Sequence, residues 1–165
     1  MHEVITTQRL ELHLLSLVEL DAVAAGDAGG LAQRIPATVS AEWVDVVRNL
    51  AAFRAAQVRE RPSDEPWLLR AIVVGSPAPS RRAIGYLNFH QAPQDGMAEI
   101  GYELLPEARG QGYAIEAVRG AFDWATREFG IRHFRASVAP GNERSENLIR
   151  KLGFVHTGQQ WDEQD

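Results

Sequence analysis

Hydrophobic and polar positions follow two different periods along this chain. Apolar residues at helical spacing predict helices from Leu17 to about Ala25, from the Ser40 cap to about Arg59, from Gly110 to Phe129 and from Glu143 to Leu152. Two-residue alternation or short apolar runs predict strands at Arg9 to Leu14, Trp67 to Val74, Ala83 to His90, Met97 to Leu105, Arg132 to Val138 and Phe154 to Thr157. The predicted order is β α α β β β α β α β.

Capping residues mark the ends of these helices. Ser16 followed by Glu19 has the spacing of a capping box, and Ser40 precedes the second helix. Gly130 and Gly153 follow helices, where a left-handed residue commonly ends the last turn. A further group of glycines predicts a loop after the first helix: Gly26, Gly29 and Gly30.

The apolar stripes of the two long helices predict which side chains are buried. The second helix has a stripe formed by Trp43, Val46, Val47, Leu50 and Phe53. The third has one formed by Ile115, Val118, Phe122, Ala125 and Phe129. Each helix therefore has one face that packs against a sheet.

The connections between elements predict the fold class. The strands from Ala83 to His90 and from Met97 to Leu105 are separated by Pro93, Asp95 and Gly96, which is typical of an antiparallel hairpin. The strand–helix–strand unit from Met97 to Val138 requires a right-handed crossover and a parallel pair. We therefore expect an α/β (α+β) fold, a mixed sheet with helices on both faces. A length of 165 residues favours one domain.

Composition narrows the classes of function. The chain has no cysteine, and its five histidines are dispersed, so neither disulfides nor a metal site is expected. A net charge of -5 argues against nucleic acid as a partner. Neither a signal peptide nor a membrane-spanning stretch is found in the sequence, so a cytoplasmic protein without a membrane partner is expected.

The segment that joins the fourth strand to the third helix is the main candidate site. Its glycines let the backbone approach a bulky anion, and the helix that follows presents free N–H groups and the positive end of its dipole. These features predict a pyrophosphate cradle, although a tight turn that uses glycine for packing remains an alternative. The motif is not a Walker loop, because no Gly-Lys-Ser/Thr follows.

Two motifs resemble those of the GNAT superfamily of N-acetyltransferases, in particular the branch that includes ribosomal-protein N-terminal acetyltransferases. The acyl-CoA motif of that family is matched by Arg109, Gly112 and Ala114. Its second motif is matched by Asn142, Ser145, Leu148, Gly153 and Phe154. The resemblance covers about Leu10 to Thr157 and implies the GNAT fold, in which two parallel strands diverge, here Ile100 to Leu105 and Arg135 to Ala139.

The resemblance also implies acetyl-CoA as co-substrate and direct acyl transfer to an amine. The implied cofactor-binding residues are Leu104, Leu105, Arg109, Gly110, Gln111, Gly112, Tyr113, Ala114 and Asn142. Asn142 is also expected to cap the last helix. Further residues, which would line an acceptor pocket or simply pack in the sheet, are Tyr86, Asn88, Phe89 and Tyr102.

Two residues are candidates for catalysis. Glu99 matches the glutamate that many family members use, so it is a candidate base or amine anchor; a solvated or salt-bridged carboxylate is the alternative. Strand period places it on one face with Gly101 and Glu103. Relatives often use a tyrosine to protonate the leaving thiolate, but Ile149 stands there, which leaves Ser145 either to hydrogen-bond the sulfur or to act as an ordinary polar residue.

Three functions remain open from the sequence. The first is an acyl-CoA-dependent N-acyltransferase whose acceptor is a protein N-terminus or a small amine. The second is a non-catalytic acyl-CoA-binding or regulatory module, and the third an unrelated α+β domain. The polar tail after Thr157 lacks the returning strand of the family. We therefore expect one of two situations. Either the chain is truncated, or a partner such as a second copy of the chain, which would form a homo-oligomer, covers the edge near Phe154 to Thr157.

Overall fold

The computed structural model describes residues 4–75, 80–137 and 141–155. Its strands are β1 Ile5–Thr6, β2 Leu10–Leu14, β3 Arg70–Val74, β4 Arg82–Phe89, β5 Met97–Leu104 and β6 His133–Ala136. Its α-helices are α1 Leu17–Ala24, α2 Ala28–Ala32, α3 Ala41–Glu60, α4 Tyr113–Phe129 and α5 Glu143–Lys151. Two short 3₁₀ helices span Pro62–Trp67 and Pro106–Ala108.

The described strands form one sheet in chain order from β1 to β6. Each pairing from β1 to β5 is antiparallel, and β5 and β6 are parallel. The predicted hairpin and the predicted parallel pair are both confirmed. A parallel pair needs a long crossover, and α4 provides it between β5 and β6.

The sheet separates two apolar cores, and a long helix covers each. Residues of α4, including Val118 and Trp124, pack with side chains of β4 and β5 such as Phe89 and Ile100. On the opposite face the core of α3 and α1 contains Trp43 and packs against β3. The prediction of helices on both faces is confirmed, and β3 is buried along its whole length because both of its faces are covered.

The capping predictions are confirmed, with one correction. Ser16 and Glu19 form the full capping box of α1, and the Ser40 side chain accepts the N–H of Trp43. Gly130 ends α4 with a φ of 69°. The predicted loop of glycines is wrong at Gly29 and Gly30, which lie in the short helix α2. The carboxylate of Asp27 caps that helix by accepting the Gly30 N–H.

The helix stripes are partly wrong, because polar residues occupy buried positions in α3 and small ones in α4. Among the predicted stripe residues Val46, Phe53 and Phe129 are exposed. Arg54 and Gln57 are buried instead, because their polar groups hydrogen-bond one another. In α4 the buried face includes Ala117, Ala121 and Trp124.

The predicted last strand is not found in its described part. Phe154 and Val155 are in no strand, whereas His156 and Thr157 lie outside the described residues, as do Val138 and Ala139. The Phe154 ring packs against Phe122 of α4 at a centroid distance of 5.8 Å. Among the described strands β6 is therefore an edge. The prediction that a partner covers the edge near Phe154 to Thr157 stays a prediction.

We expect the substitution Gly85→Ala to destabilise the protein. A Cβ at Gly85 would lie 2.9 Å from the Leu104 Cα and would overlap the Glu103 carbonyl oxygen, so β4 and β5 would have to move apart. Overpacking of this kind costs about 1–3 kcal/mol, measurable by urea denaturation. The control is Gly29→Ala, where the nearest atom to the added Cβ, Asp27 Oδ1, is at an ordinary contact distance of 3.8 Å. Equal stabilities of the two variants would contradict the prediction.

Candidate active site

The strands β5 and β6 separate partway along β5. Among the described residues their parallel pairing runs from Met97 and His133 to Ile100 and Ala136, while β5 continues to Leu104 in its pairing with β4. The Leu105 N–H donates to the Ile84 carbonyl and the Glu99 carbonyl accepts from His90, so odd-numbered residues of β5 bond to β4. By the alternation of an antiparallel ladder, the main-chain groups of Tyr102 and Leu104 face the opening. An extended ligand can pair with strand β5 there.

The loop before α4 has the backbone geometry that an anion site requires. Gly110 and Gly112 both have φ of +79°, which places them in the left-handed region that favours glycine. Within the described residues, no protein acceptor is found for the main-chain N–H groups of residues 110–115. A Cβ at Gly110 would meet nothing within 4 Å, so the backbone is open to a bulky group. The start of α4 adds the positive end of its dipole.

Arg9 holds this loop in place, a role that no motif or periodicity in the sequence indicated. Its guanidinium donates through Nη1 to the Gln111 carbonyl at 2.9 Å and through Nε to the Glu116 carboxylate at 2.7 Å. It also lies 4.5 Å from the centre of the Tyr113 ring. Burial acts to raise the pKa of Glu116, but hydrogen bonds from Thr7 and Arg9 outweigh it and lower that pKa. The loop is thus tied to the segment before β2, about one hundred residues away along the chain.

Several of the predicted cofactor residues already have partners in the protein. The Arg109 side chain turns back and donates through Nε to the Leu104 carbonyl at 3.2 Å. The Leu105 N–H is bound to Ile84, and its side chain belongs to the core under α3. Tyr113 and Ala114 are half-buried at the start of α4. The binding of coenzyme A by these residues stays a prediction, with Leu105 as the residue whose N–H is not available.

Glu99 lies in a cluster of polar groups at the point where the strands separate. Its Oε2 is 2.8 Å from His90 Nδ1 and accepts from Ser137 Oγ at 3.3 Å, and its Oε1 is 3.7 Å from Arg135 Nε. The His90 hydrogen bond is the main cause that lowers the pKa of Glu99; burial opposes it, and the charges of His90 and Arg135 and the Ser137 hydroxyl reinforce it. A carboxylate with a lowered pKa is a weaker base, which favours a charge-bearing role over direct proton removal.

The first turn of α5 lies beside the opening. Asn142 caps the helix by accepting the Ser145 N–H at 3.2 Å, so the expected capping role is confirmed. The Ser145 hydroxyl lies beside the phenol of Tyr102, whose pKa is raised by burial and lowered in part by this neighbour. Ser145 is therefore next to the side chain of a β5 residue whose main-chain groups face the opening. Its contact with a sulfur atom stays a prediction.

The sheet face that carries Glu99 also carries Gly101 and Glu103, as strand period predicts. Their cross-strand neighbours on β4 are Asn88 opposite Gly101 and Tyr86 opposite Glu103. Burial raises the pKa of Tyr86 to about 12, and the Glu103 carboxylate adds to the shift while Arg54 opposes it.

Two other candidates for an acceptor pocket lie elsewhere. Phe89 and Tyr102 pack on the opposite face, in the core under α4. Of the four aromatic and amide residues that the sequence singled out, Tyr86 and Asn88 therefore share a face with Glu99.

A buried polar network supports this face from below. Arg54 donates through Nε to Asn88 Oδ1 at 2.9 Å and through Nη1 to the His90 carbonyl at 3.1 Å. Gln57 donates to the same carbonyl at 3.0 Å and to Asp64 at 2.9 Å. Burial lowers the pKa of Arg54 to about 10, opposed by Tyr86 and Asp64, so its side chain is still charged at neutral pH. Two donors from α3 thus hold the backbone at the end of β4.

Neither a metal-ligand group nor a membrane-spanning helix is found among the described residues. Across residues 4–75, 80–137 and 141–155, no three His, Cys, Asp or Glu side chains are grouped as metal ligands would be. No helix in those same ranges is both long and apolar enough to cross a bilayer.

Comparisons with known proteins agree with this geometry. The profile of the family described as Acetyltransferase (GNAT) domain matches residues 9–155. The uncharacterized N-acetyltransferase YoaA of Bacillus subtilis (strain 168) is 34% identical over 80 residues, which are 48% of this chain and 45% of that protein. The chain thus spans about half the length of this curated relative in the match.

Two solved structures are similar over almost the whole chain. A putative GnaT-family acetyltransferase from Bordetella pertussis has a TM-score of 0.67 and 20% identity, covering 98% of this chain and 94% of its own. RimL, a ribosomal L7/L12 alpha-N-protein acetyltransferase in complex with coenzyme A, has a TM-score of 0.61 and 20% identity, covering 94% and 86%. At these identities the similarity establishes the fold.

Proposed function

We propose that this chain, which belongs to the acetyltransferase (GNAT) family, transfers an acetyl group from acetyl-CoA to a primary amine. The observation that carries the proposal is a pair of neighbouring features. Among the described residues, the main-chain N–H groups of residues 110–115 have no protein acceptor, and β5, which ends shortly before this loop, continues past its last pair with β6 and carries Glu99. A diphosphate with an extended arm and a terminal thioester matches this arrangement.

Each part of acetyl-CoA has a proposed partner. The loop of Gly110 and Gly112 binds the diphosphate through backbone N–H groups and the α4 dipole. The pantetheine arm pairs with the main chain of Tyr102 and Leu104 as an added strand would. A main-chain N–H of β5 stabilises the oxyanion that forms on the thioester carbonyl, and Ser145 hydrogen-bonds the leaving sulfur.

The acceptor is proposed to be a cationic primary amine. The carboxylates of Glu99 and Glu103 flank Gly101 on one face, and the chain has a net charge of -5. Both features attract a positively charged group. One structural neighbour is named as an alpha-N-protein acetyltransferase, so a peptide α-amine is the first acceptor to test.

The test measures thiol release from acetyl-CoA together with the mass of the acceptor. The panel pairs lysine-free peptides that have a free N-terminus with the same peptides blocked at the N-terminus, and adds small primary amines. We expect thiol release with a gain of one acetyl group, and the pairing assigns it to the α-amine or to a small amine. Coenzyme A binding in calorimetry with no thiol release from any acceptor would instead support a non-catalytic acyl-CoA-binding module, which Ile149 in the tyrosine position favours. Absence of coenzyme A binding would overturn the proposal.

A further inference from the structure

His90 and Glu99 form a pair that the sequence motifs do not contain. His90 follows the last residue of β4, and its Nδ1 is 2.8 Å from Glu99 Oε2 on the neighbouring strand. Since a carboxylate only accepts hydrogen bonds, the proton of a neutral His90 ring lies on Nδ1. The other ring nitrogen, Nε2, then has a free lone pair.

The free nitrogen points to the place where β5 leaves β6. A Cβ built on Gly101 would lie 3.1 Å from His90 Nε2, so Nε2 is directed over Gly101. Gly101 is the first residue of β5 beyond the last pair with β6, Ile100 and Ala136. That Cβ would also lie 3.3 Å from Asn88 Nδ2, so the absence of a side chain at Gly101 leaves room for the His90 ring against the strand. The side chain of His90 is 35% exposed, which leaves it accessible to an acceptor.

We propose that His90 is the general base that takes a proton from the acceptor amine, and that Glu99 is the positioning residue that orients the His90 ring. This inference rests on the proposed acetyltransferase function and departs from a glutamate base. A base oriented by a carboxylate on its second nitrogen is a recurrent catalytic arrangement.

The acceptor nitrogen loses two protons during the reaction. Nε2 of His90 takes one proton from the ammonium form of the acceptor, and the neutral amine attacks the thioester carbonyl carbon. A C–N bond forms, and the C–S bond breaks when the tetrahedral intermediate collapses. The second proton lost by the nitrogen ends on the thiolate of coenzyme A, while the proton on His90 passes to water. The products are the amide and the free thiol.

The groups around the pair suit this division of roles. The Glu99 carboxylate from β5 faces the ring through Oε2, which also accepts from Ser137 Oγ, and Arg135 Nε of β6 lies 3.7 Å from its Oε1. From α3, Arg54 and Gln57 contact the His90 backbone carbonyl and therefore fix the main chain. The ring is thus held through Nδ1 by Glu99, and its main chain is held by α3.

The experiment compares pH profiles of kcat/KM for the full chain and three variants with one acceptor. In His90→Gln we expect kcat to fall at least about 100-fold and the acid limb of the profile to disappear, since general acid–base catalysis contributes factors of this size. In Glu99→Gln we expect a lower kcat with an acid limb that remains, because the His90 ring loses the partner that orients it but is still present. His133→Gln, at an exposed histidine of β6, is the matched control and is expected to keep the wild-type profile. Calorimetry with coenzyme A should give unchanged affinities in all three variants.

The proposal is overturned if His90→Gln keeps the wild-type acid limb, which would assign proton removal to Glu99 or water. A second readout needs no turnover: the ¹⁵N spectrum of the neutral His90 ring should show the proton on Nδ1, and a proton on Nε2 would overturn the base role. Failure of the proposed function is a different result, namely a wild-type protein that releases no thiol with any acceptor. In that case the base role falls with it.

Discussion

The substitution Gly110→Ala is expected to weaken coenzyme A binding roughly 100-fold in calorimetry, which corresponds to about 2.7 kcal/mol. The Cβ would project into the open space beside the loop, where nothing of the protein lies within 4 Å. That space is where we place the diphosphate, so a methyl group there separates the backbone N–H donors from the phosphate oxygens. Hydrogen bonds to a charged group contribute about 1.5–3 kcal/mol each, so the loss of one or two accounts for the effect.

The matched control is Gly130→Ala at the other end of α4. Gly130 has a φ of 69°, close to the 79° of Gly110, and a Cβ there also meets nothing within 4 Å. Both substitutions therefore carry the same backbone strain, of about 1–2 kcal/mol for a left-handed residue. Both variants should lose similar stability in urea, and only Gly110→Ala should lose affinity. Equal coenzyme A affinities in the two variants would refute the assignment of the loop.

The substitution Arg54→Met is expected to lower the free energy of unfolding by about 2–4 kcal/mol, since each buried acceptor left without a donor costs about 1–3 kcal/mol. Arg54 is 6% exposed and donates to Asn88, Gln57 and the His90 carbonyl. Methionine keeps most of the stem but leaves buried acceptors on Asn88 and Gln57 without their donor. Urea denaturation measures the loss.

Arg48→Met on the same helix is the control for Arg54. Its guanidinium is exposed and makes a long contact, 3.5 Å, with the Ala24 carbonyl. Surface substitutions of this kind change stability by within about 0.5 kcal/mol. Equal stabilities of the Arg54→Met and Arg48→Met variants would show that the buried polar network of Arg54 contributes nothing to folding.

Local chemistry accounts for the parts that could be predicted from the sequence. Ser16, Ser40 and Gly130 act on the backbone within a few residues of themselves, so their roles are visible without the fold. The same holds for Gly110 and Gly112, whose positive φ values depend on the absence of their own side chains.

Burial was harder to predict where a polar residue is inside. Hydrophobic spacing in α3 pointed to Phe53, which is 48% exposed, whereas the neighbouring Arg54 is buried. A guanidinium can be buried in a core only where hydrogen-bond acceptors surround it. The acceptors of Arg54 come from β4 and from α3 itself. Spacing along one helix carries no information about acceptors on another element.

The sequence by itself determined most of the elements, the mixed sheet with its parallel pair, and the glycine loop before α4, because periodicity, caps and positive φ are properties of neighbouring residues. Only the tertiary structure decided that Arg9 ties down that loop and that His90 faces Glu99 beside Gly101. These contacts join residues that are distant in the chain, and they exist because strand register brings them to within hydrogen-bonding distance.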